Sequence, residues 1–292
     1  MKISNLYNDK KIVYSFEVFP PKKNGNIDTI YKTLDELSVL SPDFISVTYG
    51  AGGNTADNKT VKIASLIKNK YNIEPIAHLT CINSSKEDIL FMLEEFKKNN
   101  IENVLALRGD KSPDYDGKSD FKYASDLISL ISEDKYFDIH AACYPECHPE
   151  CDNLITDIKN LKRKVDLGTS SLITQLFFDN EDFYSFKEKL MIAGIDVPMS
   201  AGIMPVTNKN QIERMVTLCG ASLPKKFVKI LSKYENDPLA LQDAGIAYAC
   251  EQIIDLISNG VSGIHLYTMN KPEIAKRVTE NIKNILNAAN KG

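Results

Sequence analysis

Eight apolar runs of strand length, each handing over to a segment with helical spacing, constrain the fold of this chain more than any other feature. They are IVYSFEVF (12–19), FISVTY (44–49), PIAHLTCI (75–82), NVLALRG (103–109), DIHAACYP (138–145), SLITQLFF (171–178), VPMSAGIM (197–204) and GIHLYTMN (263–270). The intervening segments carry helix signals. One is expected to be capped near Asn54 and Thr55. Another, SSKEDILFMLEEFKKN, opens on serine, has an acidic first turn and ends on lysines, as the helix dipole favours. A longer helical stretch from Lys209 to Asn259 is broken at Ser222-Leu223-Pro224 and at Asp237-Pro238, and the last helix spans 273–289.

Strict alternation of eight strands with helices predicts an α/β fold, the (βα)8 or TIM barrel, as a single domain over 1–292 with an extra helical stretch near 209–259. The rival is a doubly wound open sheet. It usually has fewer strands and, for dinucleotides, a glycine fingerprint after the first strand, which VFPPKKNGN does not supply. At 292 residues and 43% hydrophobic the chain buries a substantial core, and its net charge of −4 offers no basic footprint for nucleic acid. No run is long enough to span a bilayer, and the start MKISNLYNDKK has no apolar signal core. Six cysteines without regular spacing are not a disulfide framework, so a reducing cytoplasm is the expected location.

A barrel carries its site at the carboxyl ends of its strands, where this chain places Glu17, Thr48, His78, Arg108, Asp110, Tyr144, Gln175, His265 and Tyr267. Unpaired polar groups away from water are costly, so a ring of them argues for a ligand. Each has a blander reading. Glu17 would pair with a lysine, His78 and His265 would be hydrogen-bonded core imidazoles, and Arg108 with Asp110 would form an ion pair around Gly109. The glycine-rich YGAGGNT (49–55) reads equally as an anion cradle and as a strand-to-helix turn. No Ser-His-Asp order, HExxH motif or clustered carboxylates are visible, which points to a cofactor enzyme rather than a hydrolase. CYPECHPEC (143–151) offers thiols and an imidazole to a metal, but within one short run and with no second knuckle. Small apolar cysteines beside a prolyl turn are the alternative.

Ten blocks are distinctive together: SFEVFPPK (15–22), SVTYGAGG (46–53), HLTC (78–81), ALRGD (106–110), YASDL (123–127), YPECHPE (144–150), NLKRKVDLG (160–168), ITQLFFD (173–179), GIMPVTN (202–208) and HLYTMN (265–270). In this order they resemble the bacterial methylenetetrahydrofolate reductases, flavin-dependent barrels that reduce 5,10-methylenetetrahydrofolate to 5-methyltetrahydrofolate. The resemblance implies catalytic roles for Glu17, as general acid toward the folate, and for Asp110, near flavin and folate. It implies flavin contacts from Thr48, His78, Arg108, Gly109, Asp110, Tyr123, Ala124, Tyr144, His148, Asp157, Asn160, Arg163 and Lys164, the last two meeting phosphates. It implies that Glu17, Gln175, Gln211, Tyr267, Met269 and Lys271 hold folate or the nicotinamide donor in a ping-pong cycle. CYPECHPEC then becomes a strand and its loop, with Tyr144 and His148 turned to the flavin, prolines fixing the turn and cysteines as small apolar filler; no metal is expected.

The implied cofactor is FAD, with FMN as the alternative, and the electron source is NADH, NADPH or a partner subunit. A homo-oligomer without a regulatory domain is expected. Met215 stands where a stacking phenylalanine is the family habit, and Lys271 where an arginine is. Two readings compete: another flavin barrel of the proline-dehydrogenase kind, and a metal-binding subunit of a larger complex.

Overall fold

A computed structural model describes residues 1–21, 25–49, 59–110, 119–208, 212, 215–217 and 219–291. The strands are β1 (Val13–Val18), β2 (Phe44–Val47), β3 (Glu74–Thr80), β4 (Asn103–Leu107), β5 (Asp138–Cys143), β6 (Thr169–Thr174), β7 (Met199–Ile203) and β8 (Gly263–Tyr267). They form a closed barrel in sequence order, every neighbouring pair parallel, with β8 returning to β1 through Glu17↔Tyr267. The open-sheet alternative is thereby excluded.

The helices are α1 (Leu6–Asp9), α2 (Asp28–Ser38), α3 (Lys59–Tyr71), α4 (Lys86–Lys98), α5 (Ala124–Ser132), α6 (Leu154–Asp166), α7 (Asn180–Ile192), α8 (Lys225–Tyr234), α9 (Pro238–Ser258) and α10 (Pro272–Lys291). Helix α4 starts on the capping box announced by its sequence, Ser85 and Asp88 exchanging hydrogen bonds. Helix α9 starts where Asp237 caps the chain and Pro238 takes the first turn. The expected cap at Asn54 and Thr55 and most of the glycine-rich turn lie outside the described residues.

Period-two alternation divides the core. Outward residues such as Tyr14, Phe16, Ile45, Val47, Ala77 and Leu79 pack under the helices. Inside, Val13, Phe44, Ile76, Leu105 and Ile173 form an apolar floor sealed by Ile3 and Leu6 from the N-terminal segment. That segment is tied down by side chains of the barrel: the Ile3 N–H donates to Asn103 (2.8 Å), the Ser4 N–H donates to Asp138 (2.8 Å), and the Tyr7 hydroxyl bonds to Ser200 (2.9 Å). Above the floor the interior turns polar.

The apolar runs overstate the strands. SLITQLFF continues past the end of β6 because Leu176 and Phe178 pack into a satellite cluster with Phe227 and Tyr248 of α8 and α9. Their burial comes from tertiary cover, not from a sheet. Gln175 therefore sits just beyond its strand.

Candidate active site at the barrel mouth

Inward positions of β1, β3 and β8 bring the first group together. The Glu17 carboxyl, a fifth exposed, has Oε2 3.6 Å from His78 Nε2 and 3.8 Å from His265 Nε2. His265 is fully buried, its Nδ1 bonded to Ser15 (2.8 Å) and its Nε2 near Ser46 (3.3 Å), with Phe44 stacked on it. It is thus a hydrogen-bonded core imidazole. His78 is different: it is buried, and its Nε2 has no hydrogen-bond partner. Desolvation, outweighing the pull of Glu17, depresses its pKa to about 4, so His78 is neutral at pH 7. Tyr267 packs edge-on to His265 and donates its hydroxyl to the Thr174 carbonyl at 2.7 Å. Burial raises its pKa well above the ordinary phenol value.

Gly202 of β7 makes room for that ring. A Cβ there would lie 2.4 Å from the Thr174 oxygen and 2.7 Å from Tyr267 Cε2.

A second group gathers at the ends of β4 and β5. Arg108 does not pair with Asp110 around the turn. Its guanidinium grips Glu150 through two bonds of 2.6 Å, with Nε donating to the Gly109 carbonyl (3.1 Å). The fork geometry of arginine explains the choice, because a carboxylate placed across the loop can take both bonds at once. Gly109 at φ +84° is in the region where only glycine is at ease, and an added Cβ would strike Thr80. The Tyr144 and His148 rings meet edge to face at 4.6 Å, and the His148 N–H donates to Asp157 (2.9 Å). Desolvation raises the Tyr144 pKa to about 12 and lowers that of His148. Asp110 is exposed and lies within electrostatic reach of Arg108, Tyr144 and Cys219.

Lys164 sends Nζ to the Ala142 carbonyl at 2.7 Å, and desolvation lowers its pKa. Arg163 and Asn160 are exposed on the same helix, so the basic stretch divides between a half-buried lysine and a solvated arginine. Tyr123 is half-exposed ahead of α5, with its N–H donating to Asp126, and Ala124 opens that helix. The Thr48 N–H donates to the Val18 carbonyl, knitting β2 to the end of β1. Gln175 folds onto its own chain, its Oε1 accepting from the Leu176 N–H. Lys271 Nζ donates to Thr207 (2.8 Å), and Met215 and Met269 border the cluster of Leu176, Phe178 and Met204. Gln211 lies outside the described residues.

The loop CYPECHPEC bends at Cys147, which adopts φ 89°, so the prolines alone do not set the turn. Cys143 is buried against Met199 as the filler reading requires, whereas Cys147 and Cys151 are half-exposed. Among the described residues no group of three His, Cys, Asp or Glu is placed to hold a metal. No helix among them is long and apolar enough to cross a membrane.

Sequence reasoning did not single out Ser15, Ser46, Glu150, Thr174, Thr268 or Asn270. The signal for Ser15 was available: it precedes Glu17 by two positions and so shares its inward face. Partnerships such as Arg108 with Glu150 leave no such periodic trace.

The profile of the methylenetetrahydrofolate reductase family matches residues 2–283. The chain is 38% identical over 265 residues to the 5,10-methylenetetrahydrofolate reductase of Pectobacterium carotovorum subsp. carotovorum, covering 91% of this chain and 88% of that one. It is 37% identical to its Escherichia coli (strain K12) counterpart over the same shares. Methylenetetrahydrofolate reductase (NADH) 1 of Arabidopsis thaliana is 36% identical over 296 residues, which are 96% of this chain and 50% of the plant protein. Among solved structures, an uncharacterized protein from Clostridium thermocellum that binds two copies of 5-methyl-5,6,7,8-tetrahydrofolic acid superposes with a TM-score of 0.66 at 14% identity. It covers 99% of this chain and 100% of its own, and at that identity it shows the barrel fold alone. The extent of the family match and the identity to these enzymes place the chain in the methylenetetrahydrofolate reductase family of oxidoreductases.

Proposed function

We propose that the chain reduces 5,10-methylenetetrahydrofolate to 5-methyltetrahydrofolate with a flavin held at the barrel mouth, taking electrons from NADH, NADPH or a protein donor in a ping-pong cycle. The observation that carries this reading is the carboxyl of Glu17 at the mouth, beside two imidazoles and the Tyr267 ring.

The residues present fit a flavin. Lys164 is a half-buried ammonium whose three donors meet one protein acceptor among the described residues, and a phosphate group would answer that deficit. Tyr144 and His148 make an aromatic wall beside it, and the two-bond grip of Glu150 holds Arg108 facing the same side. Lys164, Arg108, Tyr144 and His148, with Thr48, Gly109, Tyr123, Ala124, Asp157 and the exposed Asn160 and Arg163 at the periphery, would hold it. When bound, the flavin supplies the hydride.

Glu17 delivers the proton. It protonates the folate nitrogen that leaves the one-carbon bridge, that C–N bond breaks, and the remaining nitrogen carries the carbon as a cationic iminium that accepts the hydride. His78, neutral because it is buried, gives Glu17 a polar neighbour without a cationic partner. Asp110 adds negative charge at the rim that favours the iminium. Tyr267, Met269, Gln175, Gln211 and Lys271 bind the folate or the donor in turn, with the Lys271 ammonium available to a carboxylate.

Anaerobic mixing with 5-methyltetrahydrofolate tests the assignment, because the reverse half-reaction reduces the bound flavin and bleaches its visible absorbance. No bleaching refutes it. Glu17→Gln is expected to keep reduction of the flavin by the donor and abolish reduction of the folate; equal loss of both half-reactions removes Glu17 from its role.

A further inference from the structure

The ladder between β1 and β8 ends at Glu17↔Tyr267, yet the two chains stay joined beyond it. Thr268 Oγ1 donates to the Glu17 carbonyl at 2.6 Å. Asn270 takes both backbone groups of Phe19, accepting from its N–H at 3.0 Å and donating to its carbonyl at 2.8 Å. Side chains thereby continue the pairing where the backbone ladder has stopped. On the other flank the Thr48 N–H holds the Val18 carbonyl. Glu17 thus sits on a strand end pinned from both sides.

The reach from β8 depends on an unusual turn. Met269 and Asn270 are consecutive left-handed residues, φ 53° and 54°, closed by the Lys271 N–H donating to the Thr268 carbonyl at 2.9 Å, the pattern of a type I′ turn. Asparagine enters that region readily and methionine does not. The Asn270 N–H also donates to the Thr268 hydroxyl (3.2 Å), so the two clamping side chains orient each other. Strained non-glycine residues persist where their surroundings over-determine them, and they concentrate at working sites. A strand end would otherwise fray, and a carboxyl on a fraying strand is poorly placed to deliver a proton.

We propose that Thr268 and Asn270 are positioning residues for the proton donor, clamping the backbone from Glu17 to Phe19 so that the Glu17 carboxyl is fixed against the folate. The proposal rests on the reading of Glu17 as the acid and adds the device that aims it. Both side chains bond to the backbone of the acid's strand, so they act through Glu17.

The test uses the flavin-bound protein, reduced anaerobically, in Thr268→Val, Asn270→Ala, Thr268→Ser and Glu17→Gln forms. Each is reoxidised either by methylenetetrahydrofolate or by menadione, a quinone that needs no proton from Glu17. Thr268→Val and Asn270→Ala are expected to slow reoxidation by the folate on the order of 10²-fold, the effect of a misplacement of about 1 Å. The folate saturation constant and the quinone rate are expected to change little, and Thr268→Ser to restore the folate rate. Independently of activity, amide exchange at Phe19 accelerates in Asn270→Ala. Wild-type folate rates in both clamp variants, with Glu17→Gln inactive toward folate, overturn the proposal. So does equal slowing with quinone and folate, or loss of flavin in both variants, since each assigns the clamp to the barrel and not to the acid. If Glu17→Gln itself reduces folate normally, the underlying reading of Glu17 has failed, and that arm reports it separately.

Discussion

Gly202→Ala is the substitution whose cost follows most directly from the geometry. The new methyl carbon would lie 2.4 Å from the Thr174 carbonyl oxygen, 2.7 Å from Tyr267 Cε2 and 2.9 Å from its hydroxyl. Nonbonded carbon contacts are comfortable only near ~3.5 Å, so a backbone oxygen inside the barrel wall must retreat by roughly 1 Å. That oxygen accepts the Tyr267 hydroxyl at 2.7 Å, so relief of the clash also strains or breaks a buried hydrogen bond. Overpacking costs about 1–3 kcal/mol and a buried group left without its partner about 1–3 kcal/mol more. A loss of roughly 3–4 kcal/mol is expected, which for a chain of this size lowers the thermal midpoint by roughly 5–15 °C. Tyr267→Phe separates the two contributions, because it removes the hydrogen bond without the crowding and is expected to cost about 1–2 kcal/mol. Calorimetric scans of the three proteins, supported by urea titrations, measure the effect. A Gly202→Ala midpoint within about 1 °C of the parent would refute the reasoning on the measured scale of such effects.

His78 makes stability depend on pH. Its folded-state pKa is depressed from 6.5 to about 4, so the unfolded chain binds the extra proton first as pH falls. The contribution is fully present above about pH 6.5 and is lost progressively toward pH 4, amounting to roughly 3 kcal/mol at the acid end. The groups facing His78 are Glu17 and His265, and neither is altered in His78→Gln. Urea midpoints between pH 7 and pH 4.5 should fall less steeply in that variant; parallel curves would contradict the assignment. Arg108→Lys is expected to cost under ~1 kcal/mol of stability, because Glu150 is 59% exposed and the pair is screened, while losing the two-pronged grip. The same variant should release the proposed flavin faster on dilution, followed by fluorescence, and unchanged retention would argue that the fork does not serve that group.

Part of this protein is written in local pattern. Eight apolar runs in alternation with helical segments announce a parallel sheet covered by helices, and the pairing of β8 with β1 makes it a barrel. The period of two that places Ser15 and Glu17 on one face is equally local, and so are the caps at Ser85 and Asp237. Ten short blocks in order were enough for the family.

Other decisions were made only when the chain closed on itself. The run after β6 looked like strand, and became loop because α8 and α9 bury Leu176 and Phe178 from outside the sheet. Arg108 could not choose between Asp110, two residues away, and Glu150, 42 residues away, until β4 and β5 were adjacent. Lys164 and Arg163 are sequence neighbours of the same charge, and only the helix's rotation against the barrel turned one inward and left the other in water. The two histidines near Glu17 read alike in sequence, yet one found two serines and the other none. Periodicity is set by each residue's own backbone and survives in the linear text; partnership is set by which distant groups arrive within about 3 Å, and that distance exists only in three dimensions.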